Sequence, residues 1–159
     1  MQIRAGNRQD EDKIRTIIFN AMKECGLEPE PEGREDDLKN IEAGYFWHDG
    51  IFVVAERDGT IIGVAGGRKN PEAGCDTELE LIRLAVLPSE RKHKVARQLL
   101  DTIMFFAGNS VYERVILRTK AKVIPGVLEK LGFAEDPSRA TDAGPVYSQP
   151  VAQRASCRK

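Results

Sequence analysis

Residues 80–107 read ELIRLAVLPSERKHKVARQLLDTIMFFA, and the fold turns on this stretch. Glu80 to Leu87 is a hydrophobic run of strand length, which Pro88 closes. A basic turn follows, Arg91-Lys92-His93-Lys94, and a helix starts near Val95. Its apolar residues Val95, Leu99, Leu100, Ile103, Met104 and Ala107 fall on one face, in steps of 4, 1, 3, 1 and 3. A strand that passes through a basic turn into a helix start has the parts of an anion site. The first helical turn carries N–H groups without intrahelical partners, and the helix dipole adds partial positive charge there. Arg91, Lys92, Lys94 and Arg97 surround that point. Taken alone, the run also reads as an amphipathic helix with a solvated basic start, so its neighbours have to separate the two readings.

Upstream, Gln2 to Ala5 is a short strand. Asn7 suits the cap of a helix whose early acids, Asp10, Glu11 and Asp12, match its dipole. Ile14, Ile17, Ile18, Ala21, Met22 and Cys25 line that helix, and Gly26 ends it. Leu27 to Arg34 is a Pro/Glu/Gly loop, and a weaker helix starting at Asp36 or Asp37 carries Leu38, Ile41 and Tyr45. Ile51 to Glu56 and Thr60 to Arg68 pair as a hairpin about Asp58-Gly59. Gly63, Gly66 and Gly67 in its second arm mark a bulge or a close backbone approach. Thr77 to Leu87 completes a three-strand meander.

Downstream, Val115-Ile116-Leu117 forms the middle of a strand running to Thr119. A short helix follows from Lys122 to Leu131, with Pro125 in its first turn. Phe133 opens another strand, Asp136 to Gly144 reads as a polar loop, and Pro145 to Val151 as a last strand. The order is β-α-α-β-β-β-α-β-α-β-β. This is a mixed α/β (α+β) sheet with helices on its faces, in one domain over residues 1–152, with a frayed tail at 153–159.

Composition removes several classes. The 159 residues carry a net charge of −1, so no global field points to nucleic acid or an anionic membrane, and the basic turn is a local feature. No apolar run approaches the roughly 20 residues of a bilayer span, and the charged start MQIRAGNRQDEDK lacks a signal-peptide core. Cys25, Cys75 and Cys157 are odd in number and far apart, which suits free thiols in a reducing cytoplasm. His48 and His93 lack ligand-spaced partners, so no metal site is expected.

The element order and the run from Glu80 onward resemble the GNAT superfamily of N-acetyltransferases, which use acetyl-CoA. The family signature Gln/Arg-x-x-Gly-x-Gly/Ala falls on Arg91-Lys92-His93-Lys94-Val95-Ala96, where Arg91 and Ala96 match and Lys94 replaces the first glycine. Leu84-Ala85-Val86 before it, Leu99-Leu100 after it, and Leu131-Gly132-Phe133 downstream strengthen the resemblance. It implies a sheet splayed between the strand of Leu84–Val86 and the strand starting near Arg114. The pantetheine arm would run beside Leu84, Ala85 and Val86, with the pyrophosphate on Lys92, His93, Lys94, Val95, Ala96 and Arg97. A backbone N–H near Ala85 would polarise the thioester carbonyl.

The resemblance further implies a carboxylate base for a primary amine of a small molecule or protein. Glu80 is the first candidate and Glu78 the reserve, while both also read as ordinary acids on a solvated strand face. The family's tyrosine acid is replaced by Leu128, which leaves Tyr147 or Tyr112 as substitutes. Leu128 and Lys94 therefore admit a second outcome, a CoA-binding sensor or partner module of weak or no transfer activity. Dimerisation is common for the fold. Tyr45, Phe46 and Trp47 read as core or as acceptor-pocket lining. The acids Glu28, Glu30, Glu32, Glu35, Asp36 and Asp37 suit either a cationic acceptor or plain solvation.

Overall fold

The computed structural model describes residues 1–92, 94–118, 127–141 and 144–152. Its order is β1 (Gln2–Ala5), α1 (Glu11–Glu24), α2 (Ile41–Gly44), β2 (Ile51–Arg57), β3 (Thr60–Lys69), β4 (Glu78–Val86), α3 (Val95–Gly108), β5 (Arg114–Arg118), α4 (Val127–Lys130), β6 (Ala134–Thr141) and β7 (Gly144–Pro150). His93, Thr119, the start of the expected helix at Lys122 with Pro125, the tail and Cys157 lie outside the described residues.

The strands form one sheet in the order β1-β2-β3-β4-β5-β7-β6. Every neighbouring pair is antiparallel except β4 with β5. Alternation along the strands divides the core between two faces. Val53, Ala55, Leu79, Leu81 and Val86 pack with α3, while Phe52, Val54, Val64 and Ala85 pack with α1 and with Leu38, Ile41 and Tyr45. Asp58 and Gly59 have φ of +51° and +78°, the left-handed pair that an Asp-Gly hairpin turn requires.

The β3–β4 pairing slips at one place. Gly66 faces Arg83 and Gly67 faces Leu81, so Ile82 is an extra residue in β4. Gly66 allows close approach there, because a Cβ would lie 2.4 Å from the Phe52 ring. The glycine-rich arm of the hairpin thus serves both expectations at once.

Two expected elements differ. The second helix is broken into a 3-10 turn at Asp36–Leu38, the short α2, and another 3-10 turn at Phe46–His48. Asn40 restarts the chain by accepting from the Ala43 N–H at 3.1 Å. The polar stretch expected as a loop from Asp136 is a strand as far as Thr141. It is the sheet edge, where Pro137 and polar side chains carry no alternating apolar signal.

Candidate functional site

The site is built on β4. Only Glu78, Leu79 and Glu80 pair with β5, opposite Arg114, Val115 and Ile116. From Leu81 to Val86 the strand keeps its β3 partner, and among the described residues its other edge has no strand beside it. Leu87 donates to the Ile62 carbonyl at 2.9 Å, which fixes the phase of the ladder. By antiparallel alternation Ala85 and Arg83 turn their peptide groups to β3, and Leu84 and Val86 turn theirs to the open edge. Of the N–H groups near Ala85, those that face the open edge therefore belong to Leu84 and Val86.

That open edge leads to the start of α3. Lys94 precedes the helix with φ +60° and ψ +22°, the left-handed region, and makes no side-chain cap. This geometry explains why glycine suits the position. The N–H groups of Val95, Ala96 and Arg97 precede the first helical bond, from Gln98 to the Lys94 carbonyl at 3.2 Å. Leaving the start uncapped forgoes roughly 1 kcal/mol. Burial of Leu99 or Ile103 alone contributes about 1.5–3 kcal/mol, so packing holds α3 with its N-terminus open to an anion.

Lys92 and Lys94 are exposed, Ala96 packs partly against the α3-side core, and Arg97 pairs with Asp101 at 3.2 Å. Arg91 bends back from the turn: its Nε donates to the Val86 carbonyl at 3.1 Å, and its Nη atoms grip Glu24 at 2.8 and 3.2 Å. Those hydrogen bonds from Arg91 hold the Glu24 carboxyl below its usual range. Arg91 thus ties the end of α1 to the open edge of β4.

The two acids of β4 share the face opposite Leu79 and Leu81. Glu78 accepts from Arg139 through both carboxylate oxygens, at 2.8 and 3.0 Å, and from the Asn70 amide at 3.0 Å. Burial pushes this carboxyl up, but the Arg139 and Asn70 bonds outweigh burial and hold it below the usual range. Glu80 is different. Its one charged or hydrogen-bonding side-chain partner among the described residues is Arg118 at 4.0 Å, and it retains 16% side-chain exposure.

A second group fixes the wall over this face. Arg83, made co-facial with Ile82 by the bulge, donates to Asp37 at 2.7 and 3.2 Å, and Glu35 lies 3.9 Å away. Burial opposes the Arg83 charge, and the Asp37 carboxylate more than offsets it, so its affinity for the proton rises. The Tyr45 hydroxyl donates to Asp37 as well, and burial followed by the Asp37 charge raises the Tyr45 phenol. Glu35 and Asp37 are therefore inward anchors. Glu30 faces Arg34 and Glu32 faces Lys39, so the acids of this loop are largely matched internally. Beneath the wall, Ile18, Met22, Cys25, Ile82, Arg83 and Leu84 help line a cavity of about 210 Å³ between α1 and β4.

The aromatic residues separate. Tyr45 is core, whereas Trp47 is 70% exposed. Tyr112 is buried and donates to the Asp49 carbonyl at 2.6 Å; burial, then the Asp49 charge, pushes its phenol up to about 12. That bond commits Tyr112 to structure. Tyr147 packs against the same α3-side core that contains Leu128. Sequence reasoning passed over Arg83, Arg118 and Arg139. The signal for Arg83 was present, a cation in the middle of the aliphatic run ELIRLAV.

Comparison with known proteins names this arrangement. Residues 15–133 match the acetyltransferase (GNAT) family, and the chain belongs to it. It is 30% identical over 100 residues to the probable N-acetyltransferase camello of Xenopus tropicalis, a match covering 61% of this chain and 45% of that protein. The chain thus spans less than half of that relative's length. Among solved structures, a GNAT-family acetyltransferase from Staphylococcus aureus Mu50 superposes with a TM-score of 0.80 at 22% identity, covering 94% of this chain and 98% of that one. The PaiA N-acetyltransferase of Thermoplasma acidophilum, in complex with coenzyme A, gives 0.69 at 18% identity, covering 94% and 98%. No helix among the described residues is long and apolar enough to cross a membrane.

Proposed function

We propose that this chain moves the acetyl group of acetyl-CoA to a primary amine by direct attack, with Glu80 as general base. The observation that carries the reading is the junction of an open β4 edge with an uncapped, cation-flanked helix start. The amides of 95–97 and the side chains of Lys92 and Lys94 would receive the pyrophosphate, as at other helix starts. Leu84 and Val86 would pair with the pantetheine arm and offer an N–H to the thioester carbonyl. Acetyl-CoA supplies an activated acyl group with a thiolate leaving group.

Glu80 takes the proton that frees the amine lone pair. The C–N bond then forms as the C–S bond breaks, and the sulfur takes a proton from Tyr147 or from water. Glu78 suits the base role less, because Arg139 and Asn70 already use its oxygens. Calorimetry with acetyl-CoA, followed by turnover of a broad amine panel by wild type and Glu80→Gln, tests the reading. Binding, and turnover that Glu80→Gln abolishes, are expected. Absence of acetyl-CoA binding overturns it, and binding without turnover across the panel replaces it with a CoA-binding module.

A further inference from the structure

Beside Glu80 lies a cationic position that the acetyl-transfer reading does not use. Arg118 is on β5, two residues past Ile116, where the ladder with β4 ends. It shares the face of Glu78 and Glu80, and its side chain is only 24% exposed. Among the described residues its charge meets two carboxylates, Glu72 at 2.8 Å and Glu80 at 4.0 Å. Arg139 lies next to this pair but is already closed onto Glu78, with a weaker approach to Glu72 at 3.5 Å. Glu72 itself belongs to the loop between β3 and β4 and is 50% exposed. A half-exposed loop carboxylate thus reaches in and neutralises a mostly buried guanidinium beside the candidate base.

We infer that Glu72 occupies a subsite for a substrate carboxylate, and that the acceptor is an amine carrying a carboxylate close to it, as in an α-amino acid. A guanidinium offers five donors in a planar fork that fits a carboxylate, and Glu72 engages it from solvent and can swing back there. The 4.0 Å approach of Arg118 to Glu80 puts a cation and an anion side by side. A zwitterion matches that pair, carboxylate to Arg118 and ammonium to Glu80. A neutral acceptor that displaced Glu72 would leave the Arg118 charge mostly buried with one long contact, which is costly. Glu72 then acts as an internal competitor, and the substrate binds by the fraction of time it is withdrawn.

The subsite rests on the transfer reading only for its turnover arm, so binding is measured separately. Wild type with saturating acetyl-CoA is assayed against L-alanine, L-leucine, L-phenylalanine and L-glutamate, their carboxamides, and the diamines putrescine and spermidine. The same compounds are titrated into the CoA-loaded protein by calorimetry. Acids are expected to exceed their carboxamides by about tenfold in kcat/KM, as for a site built around one charged group. Glu72→Gln is expected to lower KM for the acids by roughly threefold to tenfold with kcat unchanged. Arg118→Gln should abolish the preference for acids while leaving the acetyl-CoA affinity intact. Glu72→Gln alone decides the matter if Arg118→Gln does not fold, since Glu72 is on an exposed loop. An amino acid that binds without being acetylated sustains the subsite and overturns the transfer reading. Carboxamides or diamines used as well as the acids, unchanged KM in Glu72→Gln, or no binding of any acid overturns the subsite.

Discussion

Glu78 and Glu80 stand two residues apart on one strand and one face, yet their surroundings differ. Glu78 is enclosed by Arg139 and Asn70, which donate three hydrogen bonds to its two oxygens. Glu80, about as buried as Glu78, has among the described residues one cation, Arg118, at 4.0 Å. The bonds from Arg139 and Asn70 hold the Glu78 carboxyl below the usual range, so it resists taking up a proton. The pair teaches that residue type and face leave two acids on a strand equivalent, and that their hydrogen-bond partners are what distinguish them.

The largest effect should come from Glu80→Gln, which is expected to lower kcat by about 10²-fold or more while the melting temperature stays near wild type, read from steady-state kinetics beside thermal unfolding. Unchanged kcat would move the base elsewhere. Next, Asp37→Asn should cost about 2–3 kcal/mol in urea unfolding, the low side for a broken buried pair because Glu35 remains near Arg83. A loss under 1 kcal/mol would show the anchor to be dispensable.

A smaller effect belongs to Glu78. Glu78→Gln should cost roughly 1–2 kcal/mol and leave kcat within about threefold; a large fall in kcat with little loss of stability would reverse the roles of the two acids. Because the folded Glu78 carboxyl is held below the ordinary 4.5, its contribution is complete above that value and disappears as pH falls through the lower folded pKa. The wild-type minus Glu78→Gln difference in unfolding free energy should therefore shrink only on the acid side. Smallest is Lys94→Gly. Relief of the left-handed backbone, about 1 kcal/mol, is nearly cancelled by the greater freedom of glycine in the unfolded chain. Stability should change by less than about 0.5 kcal/mol, and acetyl-CoA affinity should fall at low salt more than at high salt, since only a charge has been removed.

Much of the frame was legible. The apolar stripe of α3, the Asp58-Gly59 turn and the basic turn after Pro88 are local signals, each decided within a few residues. Their structural forms follow the same physics that made them readable. The acids at Glu35 and Asp37 were not legible, because their partner Arg83 is 46 residues away from Asp37 and faces them only through the bulge. Edge strand β6 lacked an apolar face to betray it. Arg139, which completes Glu78, sits on that strand and was hidden with it.

The bulge at Ile82 also has a bearing on how this chain tolerates change. Up to Leu81 the odd-numbered side chains of β4 belong to the α3 side, while beyond it the even-numbered Leu84 and Val86 do. Ile82 acts as a parity switch between two counting frames. Substitutions on either side act singly, and deleting Ile82 would merge the two frames into one regular alternation, with Leu81, Leu84 and Val86 still on the α3 side. Arg83 would still face Asp37, and Leu84 and Val86 would still turn their peptide groups to the open edge. The strand thus carries one spare residue, and its two frames depend on that residue's presence or absence rather than on an exact length.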